Sequence, residues 1–341
     1  MYTSIKIITV VILIVWVKNT AYGKPKLKFL EPKNHELTIY VIPSMYELDW
    51  DSPAALYKTV KSCYAKTMHY KTNYLTGHTI VEVNSPKLEK PLLVAQMSSS
   101  MKEKRQMIFK EKAGYAIIGA ILQGKMETEE EIIHALRVYA KRKKLAFVKY
   151  SISDEAFERV IDFISHYSGN QNPDYTPYIN YGGAFWPRFK EEGSGCSAFG
   201  MTILELVNLL PKEHTKAWQL NNKIPIELIG GKYNNGHKVT IADIKNATTW
   251  YEGDGQINVD YVLYSVYNPS IIYDWVLDVR NKKSHKYQAM EWNGIPGVHI
   301  NAEEIEFDRN EPLFLDRDQP NLFIDIHKQA QTQEKEYVSK R

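Results

Sequence analysis

Two capped amphipathic helices, separated by a short strand, set the main constraint on what this chain can fold into. Thr128 opens a capping box with Glu131 three residues later, and apolar residues then recur at helical spacing as far as Lys144. A second helix is predicted from Ser153 to Tyr167, with two acidic residues in its first turn. Residues 144–150 between them form a predicted strand. Helices of this kind beside β-branched strands predict an α/β (α+β) protein.

Further elements are predicted on both sides of this pair. A helix over residues 52–68 begins at a Ser cap followed by Pro, and its apolar spacing places Cys63 on the buried face. From residue 168 to 194 the chain has no periodicity, which predicts a long loop ending near Cys196. Predicted strands cover residues 37–42, 76–83, 91–97, 114–122, 224–231 and 256–267, and the polar tail over 328–341 is expected to be disordered.

The first residues predict an exported protein. The apolar run Ile7–Val17 follows a single lysine and precedes Ala21-Tyr22-Gly23, which is typical of a signal peptide over residues 1–23 cleaved after Gly23. The run is shorter than the roughly 20 residues that cross a bilayer, and no later segment reaches that length. We therefore expect a secreted or periplasmic protein with no integral membrane segment after cleavage.

Charge gives no indication of a polyanionic partner. The formal net charge is +3, and removing residues 1–23 takes away two lysines and no acid, which leaves +1. Short basic clusters at 102–105 and 141–144 indicate solvated helix ends rather than a nucleic-acid surface. The sequence lacks the usual spacings of metal sites and of phosphate or dinucleotide loops, so no metal and no cofactor is predicted.

Cys196 is the strongest candidate for a nucleophile. The stretch EEGSGCSAFG runs into an apolar helix, so Cys196 is predicted in or just before the first helical turn. Unsatisfied N–H groups and the positive end of the helix dipole favour the thiolate there, and the Cys196 N–H can serve as an oxyanion donor. Gly193 and Gly195 are expected to let the backbone approach a substrate closely and to tolerate positive φ.

His78 is the candidate base, because it follows Gly77 at the start of a predicted strand that would hold its ring rigidly. Two residues could supply a third polar group. Glu82 shares the face of His78 but lies about 13 Å along the strand. Gln96, on the next predicted strand, could lie opposite His78 in a hairpin and is therefore the preferred choice.

The motifs TGHTIVEV and GSGCSAF, in that order, resemble the circularly permuted papain-like superfamily of NlpC-type endopeptidases and lecithin retinol acyltransferase. The resemblance covers roughly residues 55–210. It implies a small antiparallel sheet packed on helices, with Cys196 as nucleophile, His78 as base and Gln96 as the third residue. The catalytic domain would then span residues 24–230, and residues 231–327 would form a C-terminal elaboration that could belong to the same domain.

Three functions are compatible with this pattern. The preferred hypothesis is an exported thiol hydrolase that cleaves an amide, such as a cell-wall peptide, or an ester. A lipid acyltransferase or phospholipase would use the same Cys-His pair. The third hypothesis is a non-catalytic exported binding or structural protein, with a Cys63–Cys196 disulfide and residues 175–189 as its contact surface. Enzymatic activity is therefore expected but not fixed by the sequence, and the substrate is a peptide or an acyl group.

Overall fold

Helices and strands alternate along the part of the chain that the computed structural model describes, which is residues 32–70, 74–172, 174–282 and 284–339. The predicted signal peptide lies outside these residues. The strands are β1 (His35–Ile42), β2 (His78–Asn84), β3 (Leu92–Val94), β4 (Gln96–Ser98), β5 (Leu122–Met126), β6 (Ala146–Ile152), β7 (Asn180–Tyr181), β8 (Gln219–Pro225), β9 (Tyr261–Tyr267), β10 (Gln288–Trp292) and β11 (Ile295–Ala302). The α-helices are α1 (Pro53–Tyr70), α2 (Met101–Arg105), α3 (Ala116–Gly119), α4 (Glu129–Lys141), α5 (Asp154–Tyr167), α6 (Cys196–Glu205), α7 (Lys212–Trp218), α8 (Ile241–Asn246), α9 (Pro269–Arg280) and α10 (Leu322–Ser339). The mixed α+β class predicted from the sequence is confirmed.

The main sheet has six strands in the order β10-β11-β6-β1-β2-β3. All neighbouring pairs are antiparallel except β11 and β6, which run parallel. The sheet is therefore larger than the small antiparallel sheet that was expected. Because β10 and β11 lie beside β6, part of the expected C-terminal elaboration completes the main sheet.

Both faces of the main sheet are covered by helices. Side chains alternate along β1, so Leu37, Ile39 and Val41 pack towards α5, α6 and α9, while Tyr40 and Ile42 pack towards α4. Every residue of β2 is buried as a result. A polar side chain on this strand must therefore find its partners inside the protein.

A second, three-stranded sheet has the order β4-β5-β7. The predicted strand over 91–97 is split at Ala95: β3 pairs with β2 in the main sheet, whereas β4 pairs with β5 in the second sheet. The chain thus passes from one sheet to the other at Ala95. A third pair, β8 and β9, packs with α1, α3 and α10 around a separate apolar cluster.

Three boundaries differ from those predicted. The apolar stretch 114–122 forms α3 instead of a strand, and the strand β5 follows it. Gly119 in α3 packs on Phe323, where a Cβ would lie 2.3 Å from the ring, so this stretch is buried on several sides and its periodicity is uninformative. The strand predicted over 224–231 ends at Pro225, and the one predicted from 256 begins at Tyr261.

The tail from residue 328, expected to be disordered, continues α10. Phe323 and Ile324 in the first turn of α10 are buried, and Phe323 stacks edge-on against Tyr233 with ring centroids 5.0 Å apart. This apolar anchor precedes the polar residues on which the expectation of disorder was based.

Candidate active site

Cys196 is the first residue of α6, as the sequence predicts, and Gly195 is the N-cap residue. Gly195 has no side chain to bond the first backbone N–H groups of the helix, so these groups face the thiol region without a capping partner from that position. Positive potential from the helix N-terminus favours a thiolate.

Close packing of α6 on β2 brings Cys196 to His78. Gly200 lies over Thr79, and a Cβ at position 200 would come within 2.9 Å of the Thr79 methyl carbon. Ser197 Oγ lies 3.3 Å from Thr79 Oγ1 and 3.9 Å from Cys196 Sγ. The start of the helix and the start of the strand therefore share one polar contact region.

His78 is held on three sides. Its Nε2 lies 2.6 Å from Glu127 Oε2, and the side chains of both residues are almost fully buried. The ring of Tyr74 stacks on the imidazole with centroids 3.9 Å apart and planes inclined by 4°, and the Tyr74 hydroxyl donates to Glu127 Oε1. Because Nε2 is engaged by the carboxylate, Nδ1 is the ring nitrogen left to interact electrostatically with the Cys196 thiol.

The electrostatics of the pair favour a thiolate and an imidazolium. Burial alone raises the pKa of the Cys196 thiol, but the charge of His78 and hydrogen bonds from His78, the Thr79 backbone and Ser197 outweigh it, so the pKa is lowered. Burial alone lowers the pKa of His78, but the charges of Cys196 and Glu127 and hydrogen bonds to both raise it to about 10. Each group stabilises the charged form of the other.

Tyr181 is a further polar group at the nucleophile. Pairing of β7 with β5 places Tyr181 opposite Leu122, and its hydroxyl interacts electrostatically with Cys196. Burial and the negative charge of Cys196 raise the pKa of Tyr181, so the hydroxyl keeps its proton and remains a donor. The sequence offered no sign of this residue, because it belongs to a two-residue strand within a loop.

Gln96, the predicted third residue, has other partners in the structure. Its Oε1 accepts from Tyr167 Oη at 2.7 Å and Ser194 Oγ at 2.8 Å, and its Nε2 donates to the carbonyl of Tyr178 at 2.7 Å. Gln96 therefore fixes the loop that leads to Cys196. Glu82, the other choice, accepts a hydrogen bond from Tyr40 at 2.9 Å.

The position beside His78 is taken by Glu127 because the chain changes sheets at Ala95. The sequence predicts a hairpin with Gln96 opposite His78, but in the observed register the pairing of β3 with β2 ends at Val94 opposite Val81. Instead, the Ala95 carbonyl accepts from the Glu127 N–H at 2.9 Å, which brings the end of β5 to the start of β2. In the sequence Glu127 stands directly before the helix cap Thr128, but this position alone does not indicate that His78 is its partner.

The glycines before Cys196 differ from their expected role, since neither has a positive φ. Gly193 lies against the backbone of Asn180, where an added Cβ would be 1.6 Å from the carbonyl oxygen. At Gly195 the nearest atom to an added Cβ is 3.5 Å away. Close approach at Gly193 thus serves the packing of the loop on β7, while Gly195 leaves space in front of the helix.

The loop over residues 175–189 is anchored to the protein. Arg188 is buried, donates to the carbonyls of Pro312 and Leu313, and forms an ion pair with Glu311 at 2.6 Å. Ile179 is the only exposed side chain in the loop. A loop anchored in this way is better suited to support Cys196 than to form the contact surface that the non-catalytic hypothesis predicts.

No disulfide joins the two cysteines. Cys63 is buried on α1, as predicted, and its thiol lies 3.7 Å from the carbonyl oxygen of Tyr46. Cys196 is only partly covered and lies in the site formed with His78. The structure therefore gives no support to the Cys63–Cys196 crosslink of the non-catalytic hypothesis.

Comparison with known proteins adds no assignment, because no family model, no curated protein and no solved structure matches the chain. Among the described residues, no cluster of His, Cys, Asp and Glu could hold a metal ion. In the same part of the chain, none of the helices has the combined length and hydrophobicity needed to cross a membrane.

Proposed function

We propose that this protein is a cysteine hydrolase that cleaves an amide or ester bond. The observation that carries the proposal is the buried contact between His78 and Glu127, with Nε2 and Oε2 separated by 2.6 Å, beside a Cys196 thiol whose pKa is lowered by the charge of His78. A nucleophile needs a lowered pKa and a base fixed by a third group, and this site supplies both.

In the proposed reaction, the Cys196 thiolate attacks the carbonyl carbon and forms a tetrahedral intermediate. The N–H of Cys196 at the start of α6 and the hydroxyl of Tyr181, which interacts with Cys196, are the proposed donors to the oxyanion. The His78 imidazolium then gives its proton to the leaving amine or alkoxide, and a thioester remains on Cys196.

Neutral His78 next removes a proton from a water molecule that attacks the thioester. Collapse of the second tetrahedral intermediate releases the carboxylic acid product and restores the thiolate and the imidazolium. Glu127 does not exchange a proton in this scheme. It fixes the ring and stabilises its positive charge, as the carboxylate of a catalytic triad does.

The proposal also favours the papain-like resemblance, in which His precedes Cys along the chain, and an amide of a cell-wall peptide as the substrate class. The contact between β2, which carries His78, and α6, which carries Cys196, supports this part of the proposal. Export, on which the cell-wall assignment depends, rests on residues 1–23 alone.

Covalent labelling tests the proposed chemistry. p-Nitrophenyl acetate should give a burst of one p-nitrophenolate per protein molecule and an acetyl group on Cys196, identified by peptide mass mapping. Cys196→Ala should abolish both signals, and His78→Ala should reduce them strongly. Cys63→Ala is the matched control and should leave the burst intact. Acetylation of other residues without a burst would refute the proposal.

A further inference from the structure

Residues 101–112, here called the basic-apolar segment, form an exposed stretch between β4 and β5 of the second sheet. The segment consists of α2, a π-helical stretch over Gln106–Glu111, and Lys112. Met107 points inward and is buried in the cluster that contains Leu56. The outer side carries three large apolar side chains: Met101, Ile108 and Phe109 are 46%, 41% and 66% exposed.

Positive charge surrounds these apolar side chains. The segment carries the basic residues Lys102, Lys104, Arg105, Lys110 and Lys112 and only two acidic ones. Both acidic residues are engaged locally, since Glu103 Oε2 accepts from the Gln123 N–H at 2.8 Å and Glu111 Oε1 accepts from Gln106 Nε2 at 2.9 Å. An anionic partner would therefore meet a surface with a clear excess of positive charge.

The basic-apolar segment borders the candidate active site. Gln123, which binds Glu103, is paired with Asn180 in the ladder between β5 and β7, and Tyr181 is the next residue of β7. The charge of Lys104 is also close enough to interact with that of Cys196. A surface that covers this segment would therefore lie near the β5–β7 ladder that carries Tyr181.

We propose that the basic-apolar segment docks the protein on an anionic lipid surface. Exposed aromatic and aliphatic tips among lysines and arginines are the features of interfacial helices, where the tips enter the acyl boundary and the cations meet headgroups. Aliphatic Ile108 and Met101 suit acyl chains better than they suit nucleic-acid bases, which favour aromatic stacking. The proposal concerns binding and does not depend on the thiol chemistry.

Vesicle co-sedimentation tests this proposal with the protein starting at Lys24, which retains every residue that the structure describes. Vesicles of phosphatidylcholine with 30% phosphatidylglycerol, roughly the anionic fraction that gives a marked surface potential, should bind it, and pure phosphatidylcholine should bind it weakly. Salt at about 1 M should remove most of the binding, because the Debye length then falls to about 3 Å.

Variants locate the binding surface. Phe109→Ser should weaken vesicle binding at least about tenfold, since the aromatic side chain that would enter the acyl boundary of the bilayer is lost. Lys110→Gln should weaken it about fivefold, the effect of one basic residue near an anionic surface. Ile241→Ser and Lys245→Gln in α8 are matched controls on another exposed helix, since Ile241 is 42% exposed. Unchanged far-ultraviolet circular dichroism and melting temperature show that each variant is folded.

Three results would overturn the proposal. Equal binding to both kinds of vesicle, or undiminished binding by folded Phe109→Ser, would exclude this segment as an anionic docking surface. Concentration-dependent self-association that Phe109→Ser abolishes, in the absence of vesicle binding, would instead assign the surface to a second copy of the chain.

Discussion

His78 Nε2 and Glu127 Oε2 lie 2.6 Å apart, although His78 is in the main sheet and Glu127 directly follows a strand of the second sheet. His78 begins β2 of the main sheet, and Glu127 follows the last residue of β5 in the second sheet. The backbone bond from the Glu127 N–H to the Ala95 carbonyl fixes the two sheets at this point. The orientation of the imidazole is thus determined by how the sheets meet.

Glu127→Gln should raise the pKa of Cys196 and slow acylation by about tenfold or more, because the negative charge that stabilises the imidazolium is removed. The rate of Cys196 alkylation by iodoacetamide, measured between pH 4 and 9, reports the pKa. Glu82→Gln is the matched control, because Glu82 is a buried carboxylate on the same strand as His78 that binds Tyr40 instead. A pH profile of Cys196 alkylation that is unchanged in Glu127→Gln would contradict this role.

Alkylation of Cys196 in the unmodified protein should have its midpoint below about 8.5, the ordinary pKa of a cysteine thiol. As the pH falls through the lowered pKa, the thiolate is protonated and the rate declines. In His78→Ala the effect of burial is opposed only by the hydrogen bonds from the Thr79 backbone and Ser197, so the midpoint should move to higher pH. Hydrolysis should also decline above about pH 10, where His78 loses its proton. A midpoint that is identical in the two proteins would disprove the coupling.

Tyr181→Phe should lower the rate of acylation by p-nitrophenyl acetate about a hundredfold with little change in KM, because one donor to the oxyanion is lost. A purely structural role would change KM and stability as well. Tyr178→Phe is the control, since Tyr178 contributes its backbone carbonyl to Gln96. Pre-steady-state absorbance measurements provide both constants, and an unchanged acylation rate would remove Tyr181 from the mechanism.

Gln96→Met should destabilise the protein by about 2–4 kcal/mol, because the buried Tyr167 and Ser194 hydroxyls lose their shared acceptor. The pH midpoint of Cys196 alkylation should stay where it is, since the bonds of Gln96 go to the loop and not to His78. Urea denaturation measures the change in the free energy of unfolding. For comparison, Gln123→Met at an exposed position of β5 should change stability by less than about 0.5 kcal/mol. A displaced midpoint would restore Gln96 as a partner of the base.

Gly193→Ala should cost about 3 kcal/mol or more, because the new Cβ would overlap the Asn180 carbonyl oxygen. Gly195→Ala has room for its methyl group and should cost about 1 kcal/mol, the difference between glycine and alanine at an N-cap. Thermal unfolding of the two variants compares neighbouring glycines in the same loop. Equal stabilities would show that the loop can move away from β7.

The parts of the site that could be predicted from the sequence are those that depend on local patterns. Cys196 at a helix start and His78 at a strand start follow from capping and periodicity, and the structure has both features. Glu127 could not be assigned, because its partner depends on a change of sheet at Ala95 that no local pattern encodes. Tyr181 could not be assigned either, because it belongs to a two-residue strand within a loop. Export and the papain-like relationship remain predictions.

Because the chain passes from the main sheet to the second sheet at Ala95, the geometry of the candidate site depends on how the two sheets are aligned. The base comes from one sheet, whereas its carboxylate and the Tyr181 donor come from the other. A shear of even one ångström between the sheets would lengthen the contact between His78 and Glu127 beyond hydrogen-bonding range for a strong pair. In the proposed mechanism, catalytic competence therefore depends on the contact between the two sheets at this point.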